Sequence, residues 1–264
     1  RYPQPRYSTP HPLKQLGLRR TGMHDPLWNS WGASVIGPLH VKAGIPNQDS
    51  WRARRYKWGN VVVVSDGLGS KAHSDHGSKA ACLAVFEAAR NYQNTPAASV
   101  GDVLRLIHAN WLMKIAPYAS TECSATCLFV IQTEGTITLG RLGDGMIAVL
   151  GETDEHHLIL SDTRHDSFSN FTNSLQQAFR PEQWETATIA SAACHAVVLC
   201  TDGISDDLLP EKQMIFAQEL CSTYSNVKPE ERKRDLRRWL SEWPVPGHSD
   251  DKTIACLFKQ GGTR

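Results

Sequence analysis

Val61-Val62-Val63-Val64-Ser65-Asp66-Gly67 joins four β-branched apolar residues, the pattern of a strand buried on both faces, to an acid at the strand's end. A carboxylate placed there stands at the rim of a core and points at something. Val197-Val198-Leu199-Cys200-Thr201-Asp202-Gly203 repeats the arrangement, and Gly143-Asp144-Gly145 follows a third β-like run. Further acids stand at Asp49 and in the pair Asp250-Asp251. Asp-Gly is also a common hairpin dipeptide, so Asp144 reads equally well as part of a type I′ turn. Acids repeated in matched settings point to oxygen ligands converging on hard divalent cations. Asp206 and Asp207 read instead as the start of a helix whose positive end they stabilise.

The composition excludes several competing chemistries. The 264 residues hold 28 Lys and Arg against 27 Asp and Glu, so the net charge of +1 gives no electrostatic case for a nucleic-acid or membrane partner. The basic runs Arg52 to Lys57 and Arg232 to Arg238 read as solvated faces. No uncharged apolar stretch approaches the ~18 residues that span a bilayer, and no secretory h-region opens the chain. A soluble, monomeric protein is expected. The seven cysteines form no Cys-x-x-Cys pair. Cys82, Cys127, Cys200 and Cys256 sit in apolar segments, as core thiols of a reducing, cytoplasmic compartment do, while Cys123, Cys194 and Cys221 lie in looser surroundings. The eleven histidines lack zinc-site spacing.

The elements that must position the acids follow in order. Residues 1–33 are rich in Pro, Arg and Trp and read as an extended lead-in or linker, with Trp28 and Trp31 packing back on the domain. Residues 34–260 read as one domain. Short strands are expected at Ala33 to Ile36 and around His40-Val41, and the buried strand at 61 leads to an Ala-rich helix from Gly77 to Tyr92. Ser99 caps a second helix. A meander of short strands runs from Cys127 to Leu150, with another strand at His157 to Leu160 and an exposed polar loop over 161–175. Strands return at Ala187 to Ala190 and Ala196 to Cys200, helices at 211–223 and 229–242, and a last strand at Lys252 to Phe258. This order gives two antiparallel sheets face to face with a helix pair outside each.

Five ordered blocks resemble the metal-dependent serine/threonine protein phosphatases of type 2C, in particular a bacterial subgroup. They are Asn47-Gln48-Asp49, Val64 to Ser70, Leu142-Gly143-Asp144-Gly145, Leu199 to Gly203 and Asp250-Asp251-Lys252-Thr253. The resemblance implies an α+β fold, a four-layer αββα sandwich. It implies two Mg²⁺ or Mn²⁺ ions, and in many bacterial members a third. Asp66 with the Gly67 carbonyl would bridge two ions, Asp202 and Asp250 would hold one of them and Asp49 the other, and Asp144 would serve the third. Asp251 takes a position where the family has Asn, and stays open as an alternative ligand. The implied reaction is hydrolysis of phosphoserine and phosphothreonine by a water or hydroxide bridging the ions, with Asp66 and Asp202 acting through it. Such an enzyme would oppose a kinase, its partner being a phosphorylated protein, the kinase or the kinase's target.

Departures from that pattern define the open positions. The Arg that many members place before the first acid to grip phosphate aligns with Gly44, leaving His40 or Lys42 for that role. The general-acid His of some members aligns with Leu68, leaving Lys71, His73 or His76. Asn170-Phe171-Thr172 falls in a flap-like region. The alternative is a catalytically weak or inactive relative that binds a kinase or a phosphoprotein.

Overall fold

The computed structural model describes residues 27–93, 99–161 and 172–260. Most of the expected lead-in and Asn170-Phe171 lie outside the described residues. Among these residues ten strands form two antiparallel sheets of five. One runs β1 (Trp28–Val35), β10 (Lys252–Lys259), β9 (Cys194–Cys200), β6 (Met146–Gly151), β7 (Leu158–Leu160). The other runs β2 (Ser50–Tyr56), β3 (Gly59–Ser65), β4 (Cys127–Thr133), β5 (Thr136–Leu142), β8 (Glu185–Ala190).

The alternation along β3 shows why the layers stack. Val62 and Val64 meet Leu199 and Leu257 of the opposite sheet, while Val61 and Val63 face α2 (Ser74–Gln93) and α3 (Val100–Lys114). All four valines are fully buried, each contributing about 1.5–3 kcal/mol of apolar burial. On the far side, Val198, Cys200 and Cys256 pack against α5 (Gln213–Tyr224) and α6 (Pro229–Ser241). The result is the four-layer αββα sandwich. Ser99 caps α3 as expected: its hydroxyl accepts the Asp102 N–H, and the Asp102 carboxylate accepts the Ser99 N–H at 2.8 Å.

Three expectations change. The boundary at residue 33 falls inside β1, where Trp28 pairs with Lys259 and Trp31 with Cys256, so both tryptophans belong to the sheet. The segment around His40 is the short helix α1 (Pro38–Ala43), not a strand; Pro38 starts it and Gly44, at φ 67°, ends it. The basic run on α6 is not wholly solvated, because Arg232 is buried and donates to the Tyr224 carbonyl at 3.0 Å.

Candidate metal centre

The acids come together at one end of the sandwich, where strands of both sheets stop. Asp66 follows β3, and Asp202 follows β9 and opens the one-turn helix α4 (Asp202–Ser205). Asp144 sits in the turn between β5 and β6, Asp250 precedes β10, and Asp49 precedes β2. Carboxylate oxygens of Asp66, Asp144 and Asp202 lie within 4.8 Å of one another. They line a cavity of about 270 Å³ together with Gly67, Asp250 and His40. Asp49 is buried beside Asp66 and accepts the Thr201 hydroxyl at 2.8 Å.

Neighbouring residues, among them Arg141, which the sequence did not single out, hold this arrangement in place. The guanidinium of Arg141 donates to the carbonyls of Gly143 (2.6 Å) and Gly145 (3.0 Å), clamping the turn that carries Asp144. Gly143 has φ 109°, a conformation that favours glycine. Thr172 donates to Asp144 Oδ2 at 2.7 Å. Asp251 accepts backbone N–H groups from Gly37 and Gln48, each at 2.6 Å, and its Oδ1 lies 2.9 Å from His40 Nδ1. With both oxygens so engaged, Asp251 braces the site from behind and Asp250 is left facing the cavity. No sequence signal distinguished Arg141 from any other strand residue; Asp251 was visible as one of a pair.

The electrostatics favour a cation. Burial, followed by repulsion from Asp49 and Asp202, pushes the Asp66 carboxyl well above its ordinary range. Burial does the same to Asp202, followed by repulsion from Asp144 and Asp250. Asp49 is pushed up to about 7, mainly by burial. No Lys or Arg lines the cavity among the described residues. Asp144 Oδ1 is buried without a hydrogen-bond partner there. An all-oxygen donor set with an unpartnered buried oxygen fits Mg²⁺ or Mn²⁺.

Not every expected contributor reaches the cavity. Lys42 is exposed on α1, and neither it nor Lys71 nor His73 lines the wall. His73 instead stacks on Tyr118, with ring centroids 3.8 Å apart, and His76 meets the same ring edge-on while its Nε2 lies 3.1 Å from the Lys114 carbonyl. His40 is the basic side chain in the wall. Asp206 and Asp207 end α4 rather than start a helix; Asp207 accepts the Trp243 indole N–H at 2.7 Å.

The family model for protein phosphatase 2C matches residues 36–241, a span holding Asp49, Asp66, Asp144 and Asp202. Comparison with curated proteins gives no match. Among solved structures, a bacterial serine phosphatase is 13% identical with a TM-score of 0.62, covering 90% of this chain and 100% of its own. The serine/threonine phosphatase Stp1 from Staphylococcus aureus is 12% identical with a TM-score of 0.60, covering 91% and 99%. The catalytic domain of the serine threonine protein phosphatase PstP, in complex with 2 manganese ions, is 14% identical with a TM-score of 0.55, covering 88% and 97%. At these identities the structures share the fold, while the family match spans most of the chain. The chain belongs to the protein phosphatase 2C family.

Proposed function

We propose that this protein is a Mg²⁺- or Mn²⁺-dependent phosphatase that hydrolyses phosphoserine and phosphothreonine in proteins. The observation that carries this reading is the convergence of Asp66, Asp144 and Asp202 oxygens within 4.8 Å in one cavity. Asp66 with the Gly67 carbonyl, Asp202, Asp250 and Asp49 would hold two ions, and Asp144 a third. When bound, such ions offset the carboxylate repulsion, acidify water and stabilise charge on phosphoryl oxygens. The similarly folded PstP catalytic domain is described in complex with two manganese ions, which supports the choice of metal.

The chain's own residues do the rest. The carboxylates fix the positions of positive charge and cost little reorganisation, because hydrogen bonds from Thr201, Thr172 and Gly203 already orient Asp49, Asp144 and Asp202. His40, with its Nδ1 against Asp251, presents its ring to the cavity and holds the substrate phosphate. Among the described residues the wall of the cavity is mostly polar, and in this reading a macromolecular substrate, a kinase or its target, supplies further contacts outside it. The described cysteines carry no disulfide, in keeping with a cytoplasmic setting. No described helix is long and apolar enough to cross a membrane.

A second reading, a weakly active or inactive relative that binds a kinase or a phosphoprotein, is favoured by one feature: among the described residues no Arg lines the cavity. Hydrolysis of a phosphothreonine peptide with and without Mn²⁺, with Asp202→Asn as control, separates the two. Metal-dependent turnover lost in Asp202→Asn supports the enzyme. Absence of turnover in folded wild-type protein saturated with Mn²⁺ supports the binding module.

A further inference from the structure

Lys252 opens β10 on the face that this strand gives to the helix layer. Ile254, Cys256 and Phe258, which follow it at every second position, pack in the apolar cluster with α5 and α6, while Ala255 and Leu257 face the opposite sheet. Lysine is rarely buried in such a place without a partner, yet Lys252 is only 2% exposed. Its ammonium group stands over the Trp243 ring, 5.9 Å from the centroid. It donates to the Asp250 backbone carbonyl at 3.1 Å and lies 3.1 Å from His248 Nδ1. Neither partner is a carboxylate, so these bonds fix the course of the chain rather than cancel a charge.

Both bonds reach back to the segment that carries Asp250. Gly247, at φ 78°, turns the chain just before that segment, and the Leu39 N–H donates to the Ser249 carbonyl at 3.1 Å. The Asp250 residue itself is exposed, so burial does not aim its side chain. Its Oδ1 accepts the Asp251 N–H at 2.8 Å, and its carbonyl is held by Lys252. The same segment touches the turn that carries Asp202: a Cβ on Gly203 would stand 2.0 Å from the Asp251 carbonyl oxygen. The two backbones are therefore in contact, and whatever fixes one fixes its distance from the other. Lys252 and His248 share the wall of a cavity of about 260 Å³ with Asp202 and Asp250, on the flank of the metal centre. Lys252 thus holds the Asp250 segment from the helix side, as Asp251 holds it from the side of α1.

We propose that Lys252 is a positioning residue for the metal centre. By holding the Asp250 carbonyl and the His248 ring it sets Asp250 against Asp202, and so sets the affinity for the divalent cation that these two acids would share. The inference rests on the metal-dependent function proposed above. Residues that orient metal ligands from behind typically account for about 10–100-fold in affinity.

The test is calorimetric titration of the whole chain with Mn²⁺, without substrate, as a double-mutant cycle. Lys252→Met keeps the length and the apolar stem but removes the donor, and is expected to weaken Mn²⁺ binding about 10–100-fold. Asp250→Asn removes the ligand. The double variant is expected to bind within about twofold of Asp250→Asn alone, because Lys252 acts through Asp250. Circular dichroism checks that each variant is folded. Should Lys252→Met not fold, His248→Ala takes its place in the same cycle, with an expected loss of about threefold or more. Wild-type affinity in the folded variant overturns the inference and leaves the proposed function standing. Losses that add in the double variant, as a general loosening of the site would give, overturn it as well. Absence of Mn²⁺ binding in the wild type overturns the proposed function, and this inference with it.

Discussion

Asp251 Oδ2 accepts the backbone N–H of Gln48 at 2.6 Å, joining residues 203 positions apart. Its other oxygen takes the Gly37 N–H at the same distance. One buried carboxylate thus fastens the segment before β10 to both ends of the α1 region, and so sets Asp49 and His40 relative to Asp250. Asp251→Ala leaves two backbone donors unpaired and is expected to lower stability by about 3 kcal/mol in urea denaturation. Asp251→Asn keeps one acceptor and loses about 1–2 kcal/mol. Equal stability of the alanine variant and the wild type would show that the brace does not matter.

Arg141 gives a comparison within one side chain. It is buried, with bonds to two carbonyls of the Asp144 turn, and it also pairs with Glu185, which is half exposed, at 2.7 Å. Arg141→Met strands the Gly143 and Gly145 carbonyls and costs about 2–4 kcal/mol. Glu185→Gln removes only the exposed partner and costs less than about 1 kcal/mol. Thermal melts of the two variants check this, and a similar loss in both contradicts it.

The acid cluster sets a pH dependence for metal-free protein. Asp49 is held at about 7, and Asp66 and Asp202 are raised, chiefly by burial, so the folded chain binds protons that the unfolded chain releases. Stability from these groups is full below about pH 4, the ordinary carboxylate range, and falls as pH rises through about 7. Denaturation midpoints in chelator should therefore drop between pH 5 and pH 8, by an amount on the order of a few kcal/mol. Saturating Mn²⁺, which binds the ionised carboxylates, should oppose that drop. Midpoints that rise with pH in chelator would show that the carboxylates are already ionised and otherwise compensated.

Under the proposed function, His40, which lines the cavity, is the residue assigned to the substrate phosphate. His40→Ala should lower kcat/KM for a phosphothreonine peptide by about 10–100-fold, a loss of the size of one charge-assisted hydrogen bond. If the ring contacts phosphate rather than metal, Mn²⁺ affinity should stay within about twofold. A variant that loses metal instead would place His40 with Asp250 as a ligand.

The aspartates were legible because buried strands announce themselves. Four consecutive valines before Asp66, and the Val197 to Cys200 run before Asp202, are readable without tertiary information, and the fold then superposes their ends. What stayed hidden depends on distant contacts. The α1 helix buries no residue, so apolar periodicity could not reveal it. Strand β1 buries Trp28 toward one layer and Trp31 toward another, a spacing that does not alternate cleanly after a Pro-rich text. Lys42, Lys71 and His73 were sensible from proximity in sequence, but side-chain direction is set by packing; His73 is committed to Tyr118. Arg141 and Asp251 act through backbone groups, which carry no sequence signature of their own.

The central claim is that Asp66, Asp144 and Asp202, with Asp49 and Asp250 beside them, hold divalent cations. Anomalous diffraction at the manganese edge from crystals grown with saturating Mn²⁺ tests it directly. Two or three anomalous peaks inside the cavity lined by Asp66, Asp202 and Asp250, and their loss in Asp202→Asn, are the predicted result. A cavity without anomalous density at saturating Mn²⁺ contradicts the account.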